Sequence, residues 1–297
     1  MRDKSRSIFI AICVVPGFLL TLVFMIYPVF SIVYNAFFQV TMLTENPAFI
    51  GLENFRYLLT DATFWLSLKN TFLLMLFVPI ITLSAAIILA FIFTQSRNLT
   101  GTEKKAFTAI FYFPNMLSMV VIGILWSFIF HPNMGVLNFI LEHIGLECLT
   151  KVWLGDKTVV LYCVGATMIW QAVGYYMVMF IAGLDAIPPE IFESAMLDGA
   201  NEMHKLRYIT IPYLWEIIRR TIVLAILGVL FMSFLVVQVM TNGGPGTASM
   251  VVIKYMYDQA FSMANYGYGA AIAVVAMLIA FGLSCLSKVL TKNVYAE

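Results

Sequence analysis

All 33 ionised side chains of this 297-residue chain fall in short clusters. Six uncharged stretches separate them: residues 7–44, 70–96, 106–141, 158–184, 221–253 and 259–287. The shortest holds 27 residues. A membrane-crossing helix needs roughly 20 predominantly apolar residues, so all six are long enough, and no seventh stretch is. Composition points the same way, with 62% hydrophobic and 11% charged residues against roughly 25% charged in a soluble domain. A disordered chain is excluded by the aromatic and aliphatic content, and a water-soluble globule by the excess of apolar side chains. The fold expected is an all-α membrane protein with six transmembrane helices, over residues 9–38, 69–94, 106–130, 158–184, 219–241 and 267–290, forming one domain across 1–297.

Lysine and arginine set the orientation. With the N-terminus inside, the inner segments hold twelve of them: Arg2, Lys4, Arg6, Arg97, Lys104, Lys105, Lys205, Arg207, Arg219, Arg220, Lys288 and Lys292. The outer segments hold five, Arg56, Lys69, Lys151, Lys157 and Lys254. This bias places both termini in the cytoplasm. The basic start also invites a signal-peptide reading, but an h-region is roughly 7–15 residues and ends at a small-residue cleavage site. Here the apolar run continues through Pro28 to Phe38. It is read as a retained first helix, kinked at Pro16 and Pro28.

Between spans, residues 49–59 followed by Asp61 suit a short helix at the outer surface. Phe64 and Trp65 are its expected interfacial anchors, and Asp61 a cap for the next helix. The segment from His131 to Lys157 carries the turn residues Pro132, Asn133 and Gly135. In the last span Gly269, Ala273, Ala276, Ala280, Ser284 and Ser287 repeat every three or four residues. This small face suits close helix packing, within the chain or against a second membrane subunit.

Much chemistry is missing. The interior of each span lacks Asp, Glu, Lys and Arg, which argues against a proton- or sodium-coupled carrier. His131, His143 and His204 share no ligand spacing, so no metal site is expected, and four cysteines, Cys13, Cys148, Cys163 and Cys285, form no disulfide framework. The glycine-rich run 241–247 has no Lys in the phosphate-loop position and is read as a turn. Asn98 begins a glycosylation sequon in an inner loop, where chance explains it. No catalytic residue and no nucleic-acid partner is expected, and the net charge of +1 identifies no partner. What remains is uncharged polarity in or near the spans: Asn35, Gln39, Asn70, Asn115, Ser118, Gln171, Tyr175, Tyr176, Ser233, Gln238 and Asn242. Of these, Gln171, Tyr175, Ser233, Gln238 and Asn242 are the candidates for lining a path for a neutral solute. Trp170, Tyr175 and Tyr176 suit the apolar faces of sugar rings.

The inner segment 186–215 is the most informative. Pro188 and Pro189 suit a helix start, Glu190 and Glu193 its first turn, and Gly199 a left-handed break. A second short helix follows until Pro212 restarts the chain toward the next span. In that segment Glu193-Ser194-Ala195, then Asp198 and Gly199, then Ile209-Thr210-Ile211-Pro212 resemble the EAA loop of binding-protein-dependent ABC importer permeases. Ser194 stands where the family usually has Ala, and Ile211 where it usually has Leu. Residues 51–59, 241–247 and 266–273 look like the sugar-importer branch in its compact six-span form.

The resemblance implies a type I importer permease fold in a bacterial cell membrane, traversed several times. It implies a non-catalytic subunit that forms half of a sugar pathway by alternating access. Its partners would be a second homologous permease, two ATPase subunits, an extracytoplasmic solute-binding protein and membrane lipid. ATP and Mg would bind at the ATPase subunits, and no cofactor at this chain. Glu193, Ser194, Ala195, Asp198, Gly199, Ile209 and Pro212 would form the loop that the ATPase grips.

Overall fold

The computed structural model describes residues 2–42, 46–96 and 100–290. Arg97, Asn98 and Lys292 lie outside these, as do the side chains of Arg2, Lys4, Arg6, Ser287 and Lys288. In chain order the helices are α1 (Arg2–Thr21), α2 (Tyr27–Asn35), α3 (Glu53–Thr60), α4 (Ala62–Gln95), α5 (Gly101–Met116), α6 (Met119–Ile129), α7 (Val136–His143), α8 (Val160–Leu184), α9 (Pro189–Leu197), α10 (Glu202–Lys205), α11 (Ile211–Met240), α12 (Val252–Tyr257) and α13 (Tyr266–Leu290). A ribbon of β1 (Phe38–Gln39) and β2 (Ala48–Phe49) separates α2 from α3.

Among the described residues, five helical stretches are long and apolar enough to cross a membrane: Ile12–Asn35, Ala62–Gln95, Val160–Leu184, Glu202–Met240 and Tyr266–Cys285. Helices α5 and α6 make a sixth if the pair counts as one span, but they meet at a 99° bend. A straight helix over 106–130 is therefore not what forms. Pro114 removes a helical donor in the last turn of α5, Leu117 turns extended (φ −83°, ψ 148°), and Ser118 opens α6. In the first stretch Pro16 sits inside α1 without a break. The irregularity instead precedes Pro28, as a π turn over Leu22–Ile26 in which the Tyr27 amide donates to the Leu22 carbonyl. Such a turn is one of the ways a helix accommodates proline.

The residues divide into two compact units, Met1–Ala62 with Tyr255–Ile279, and Thr63–Lys254 with Ala280–Glu297. In the first, β1 pairs antiparallel with β2, Phe38 opposite Phe49. Helix α2 thus stops at Asn35, because the chain is already extended at Phe38. Asn54 Nδ2 donates to the Ala36 carbonyl at 2.9 Å and to that of Phe38 at 3.2 Å, tying α3 to the end of the first span. Asp61 stands just before α4, where a cap is expected, and has a second use. Its Oδ2 accepts the hydroxyls of Tyr255 and Tyr268, each at 2.5 Å. Tyr57 meets the Tyr268 ring edge-on at 4.9 Å. Burial, then the bond to Asp61, raises the pKa of the Tyr255 hydroxyl well above the usual phenol range.

The second unit packs α4, α6, α8, α9 and α11 around two apolar clusters. Leu74, Val78, Ile122, Val164, Met168 and Val236 lie in one, and Leu83, Met177, Phe180, Leu184, Phe192, Leu214 and Ile218 in the other. Helices α5 and α8 touch at Gly174, where an added Cβ would lie 1.9 Å from the Phe111 carbonyl oxygen. Phe64 is 1% exposed and belongs to the interior, so of the two anchors expected at the surface only Trp65 faces outward. The segment between α6 and α8 folds around Asn138. Its Nδ2 donates to the carbonyls of Pro132 and Lys151, and its Oδ1 accepts from the Trp153 indole at 2.7 Å. The small face of α13 is turned inward: Gly269 and Ala276 are buried, and Ala273, Ala280 and Ser284 half-buried.

Candidate functional site

The segment joining α8 to α11 folds into α9, a tight turn and α10. Pro188 precedes α9, Pro189 opens it, and Glu190 lies in its first turn. Proline costs nothing there, since the first helical amides have no partner anyway. At its end the Ala200 amide donates to the Ala195 carbonyl at 2.9 Å and the Gly199 amide to that of Met196 at 3.1 Å, with Gly199 at φ +79°. That pair of bonds around a left-handed residue is the Schellman stop. Asn201 then caps α10, its Oδ1 accepting from the His204 amide at 2.9 Å.

Pro212 does not restart the chain. Helix α10 passes through a π turn, Leu206–Thr210, directly into α11, so one apolar helix runs from Glu202 to Met240. Proline is tolerated near the start of α11 because the π turn before it has already shifted the hydrogen-bond ladder. Ile209 lies within that turn, half-buried.

Helix α9 has two faces. Phe192 is 6% exposed and packs in the cluster of Leu184, Leu214 and Ile218. Glu193, Ser194 and Asp198 are exposed. Leu197 is 90% exposed, joined by Met203 and Tyr208. Leu197 is the residue that motif reading passes over, and its position five residues after buried Phe192, half a helical turn round, is the signal that finds it. Lys205, by contrast, is buried and pairs with Glu202.

The second feature is a cavity of about 210 Å³ in the same unit, bounded by α4, α5, α6, α8 and α11. Asn115, Gln171, Tyr175, Tyr176 and Thr82 supply its polar lining, with Pro79, Met119, Met168, Ala225, Gly228 and Met232 among the rest. Gln171 and Tyr175 are thus brought together. Ser233, Gln238 and Asn242 do not line this cavity. The residues of α11 that line it, Ala225, Gly228, Val229 and Met232, share one stripe at helical spacing, and Ser233 lies at its edge, about 40° round from Val229. Ser233 is buried and donates to the Leu230 carbonyl at 3.2 Å. Asn242 is exposed in the turn that follows α11, at φ +49°. Asn70 Nδ2 donates to the carbonyls of Ala248 and Met250, each at 2.9 Å, and so holds that turn. Trp170 lies edge-on to Trp126 at 5.7 Å.

Comparison with known proteins places this geometry. Residues 84–294 match the family profile of binding-protein-dependent transport system inner membrane components. A probable ABC transporter permease of Pyrococcus horikoshii is 33% identical over 282 residues, covering 94% of both chains. The diacetylchitobiose uptake system permease of Streptomyces coelicolor is 32% identical over 235 residues, covering 76% of this chain and 66% of that one. Among solved structures, a bacterial ABC transporter that imports the acidic polysaccharide alginate superposes with a TM-score of 0.87 at 22% identity, covering 99% of this chain and 98% of that one. At that identity the likeness is one of fold. The chain belongs to the binding-protein-dependent transport system inner membrane components, and is a multi-pass ABC transporter permease of the cell membrane.

Proposed function

We propose that this permease forms one half of the pathway of an ATP-driven importer for a sugar or oligosaccharide. A second homologous permease supplies the other half. Two ATPase subunits on the cytoplasmic side bind ATP and Mg, and an extracytoplasmic binding protein delivers the solute. This chain carries out no reaction of its own. The Lys and Arg bias sets both termini and the α9 loop in the cytoplasm.

The observation that carries the reading is the mechanical link between loop and cavity. The helix from Glu202 to Met240 has 39 residues, about 58 Å of continuous rod. Its first turns belong to the loop, and Gly228 and Met232 farther along line the cavity. Phe192 fixes α9 to the ends of α8 and α11. A push on the exposed face of α9, at Glu193 and Leu197, therefore moves two cavity-lining helices together. Interfaces of this kind shift between discrete packings rather than deforming smoothly. ATPase closure draws the paired α9 helices together and opens the path outward, and hydrolysis reverses the motion.

The solute class is supported by the lining. Amide side chains at Asn115 and Gln171 beside the tyrosine rings of Tyr175 and Tyr176 offer hydrogen bonds and flat apolar faces to a neutral ring, with no charge to desolvate. The break between α5 and α6 lies beside this cavity, between Asn115 and Met119, as in other transporters that build solute sites at interrupted helices. The volume of about 210 Å³ is below the roughly 300–1,000 Å³ of complete ligand pockets, which fits a site that a second permease completes. The experiment is uptake by the co-purified complex in proteoliposomes, across a sugar panel, with and without binding protein and ATP. ATP-dependent sugar uptake is expected. Solute movement by this chain alone, without ATP, would sink the proposal.

A further inference from the structure

Thr82 in α4 is 1% exposed, and its hydroxyl has no hydrogen-bond partner among the protein's own groups. Five other buried helical hydroxyls behave differently. Ser67, Thr71, Thr167, Thr221 and Ser233 each donate to a carbonyl three or four residues back, at 2.7–3.2 Å. That bond is the standing local remedy for a buried hydroxyl, and leaving one unmade is costly. Thr210 shares the condition but lies in the π turn before α11, away from any solute-lining stripe. Among the described residues, Thr82 alone combines an unpartnered hydroxyl with a place on the cavity wall that Asn115, Gln171 and Tyr175 also line.

We propose that Thr82 is a solute-contacting residue whose hydroxyl exchanges a hydrogen bond with a hydroxyl of a neutral sugar. The inference rests on the function proposed above and adds α4 to the helices that read the solute. A threonine hydroxyl both donates and accepts, as a sugar hydroxyl does, so either orientation of the ring finds a match. A purely apolar solute would leave the group as it stands, unpaired.

The test uses the complete transporter in proteoliposomes, fed by saturating loaded binding protein, with maltose, diacetylchitobiose and arabinotriose as probes. Uptake, basal ATPase activity and melting temperature are measured for wild type, Thr82→Val and Thr82→Ser. Val keeps the shape and removes the hydroxyl. Uptake by Thr82→Val is expected to fall about fivefold, the worth of one hydrogen bond. Ser should retain most of the rate, and the melting temperature of the Val variant should be unchanged or raised. Wild-type uptake in Thr82→Val overturns the inference, as does a lowered melting temperature with a parallel loss of basal ATPase activity. If the wild-type complex imports none of the probes, the functional reading itself falls, and this inference with it.

Discussion

The amide of Ala200 donates to the carbonyl of Ala195 across 2.9 Å, so the alanine of the loop motif and the residue after its glycine close one hydrogen-bonded turn. The spacing of the motif is the spacing of a helix stop. Gly199 must hold φ +79° for the turn to close, although no atom lies within 4 Å of the place its Cβ would take. Backbone strain, not crowding, then decides what is tolerated there. Asn, which adopts this conformation at least cost, is expected to keep most coupled transport at position 199. Gly199→Val should lose about 1–2 kcal/mol of local stability and uncouple ATPase activity from uptake. The ratio of ATP hydrolysed to solute imported, measured across Gly, Asn, Asp and Val, checks the order. Equal ratios in all four would refute it.

Leu197 makes a second prediction about the same loop. It is 90% exposed, while Phe192 on the opposite face is buried. Leu197→Asp should leave the permease folded, because nothing in its interior is touched, yet weaken ATPase binding by about 2 kcal/mol or more, the scale of an apolar anchor at an interface. Co-purification of the ATPase subunits reads this directly. Undiminished recovery with Leu197→Asp would mean that the exposed face serves another purpose.

Much of this was legible before the fold. Charge placement marks the spans because a bilayer tolerates no bare ion, and the loop motif is readable because a helix stop demands a glycine at a fixed distance. Three further segments that carry the family resemblance gave their position but not their task. Asn54 ties the end of α2, the turn after Thr241 hangs on Asn70, and Tyr268 meets Asp61. Each is a contact between residues far apart in sequence, which no periodicity records. The cavity divides the candidate path residues for a simpler reason. Polarity alone does not say which groups are free to meet a solute: Ser233 sits at the edge of the cavity-lining stripe of α11, but its hydroxyl is bonded to the Leu230 carbonyl. The bend at Leu117 was available in Pro114, but hydropathy runs smoothly across it. So was the capping box at Thr100 and Glu103, whose residue pattern is its own signature.

Asn70 supports a third prediction. Its amide satisfies two buried carbonyls, at Ala248 and Met250, and the neighbouring Thr71 hydroxyl accepts from the Val252 amide at 3.0 Å. Asn70→Ala removes both donors and strands the carbonyls, a cost of about 2–4 kcal/mol. A melting temperature lowered by several degrees in detergent is expected, with solute selectivity unchanged among whatever complexes survive. A selectivity change without loss of stability would instead put Asn70 on the solute path.

Asp61 is the acceptor for two tyrosine hydroxyls, and its removal leaves both without that partner. Asp61→Ala is expected to cost about 3 kcal/mol, the upper range for hydrogen bonds to a charged group. Asp61→Asn keeps an acceptor oxygen and should recover part of it. Tyr255→Phe in the Asp61→Ala background should cost little more than Asp61→Ala alone, because the bond is already gone. Thermal unfolding of these three variants and of Tyr255→Phe alone measures the coupling, and additive losses would show that the carboxylate and the Tyr255 hydroxyl act independently.

The sharpest test of the cavity compares residues that line it with one at its edge. Gln171 and Tyr175 line it, four residues apart on one stripe of α8. Ser233 belongs to α11 but spends its hydroxyl on its own helix. If the cavity holds solute, Gln171→Ala and Tyr175→Ala should each lower uptake at saturating binding protein by about fivefold or more, the worth of a lost hydrogen bond or ring contact, with basal ATPase activity kept. Ser233→Ala should leave uptake within twofold and shift only stability, by less than about 1 kcal/mol, since no distant partner loses a bond. Tyr175→Phe separates the ring from the hydroxyl: full activity assigns stacking on a sugar face, and loss assigns the phenol. Uptake lost in Ser233→Ala and kept in both α8 variants would move the solute path off this cavity altogether.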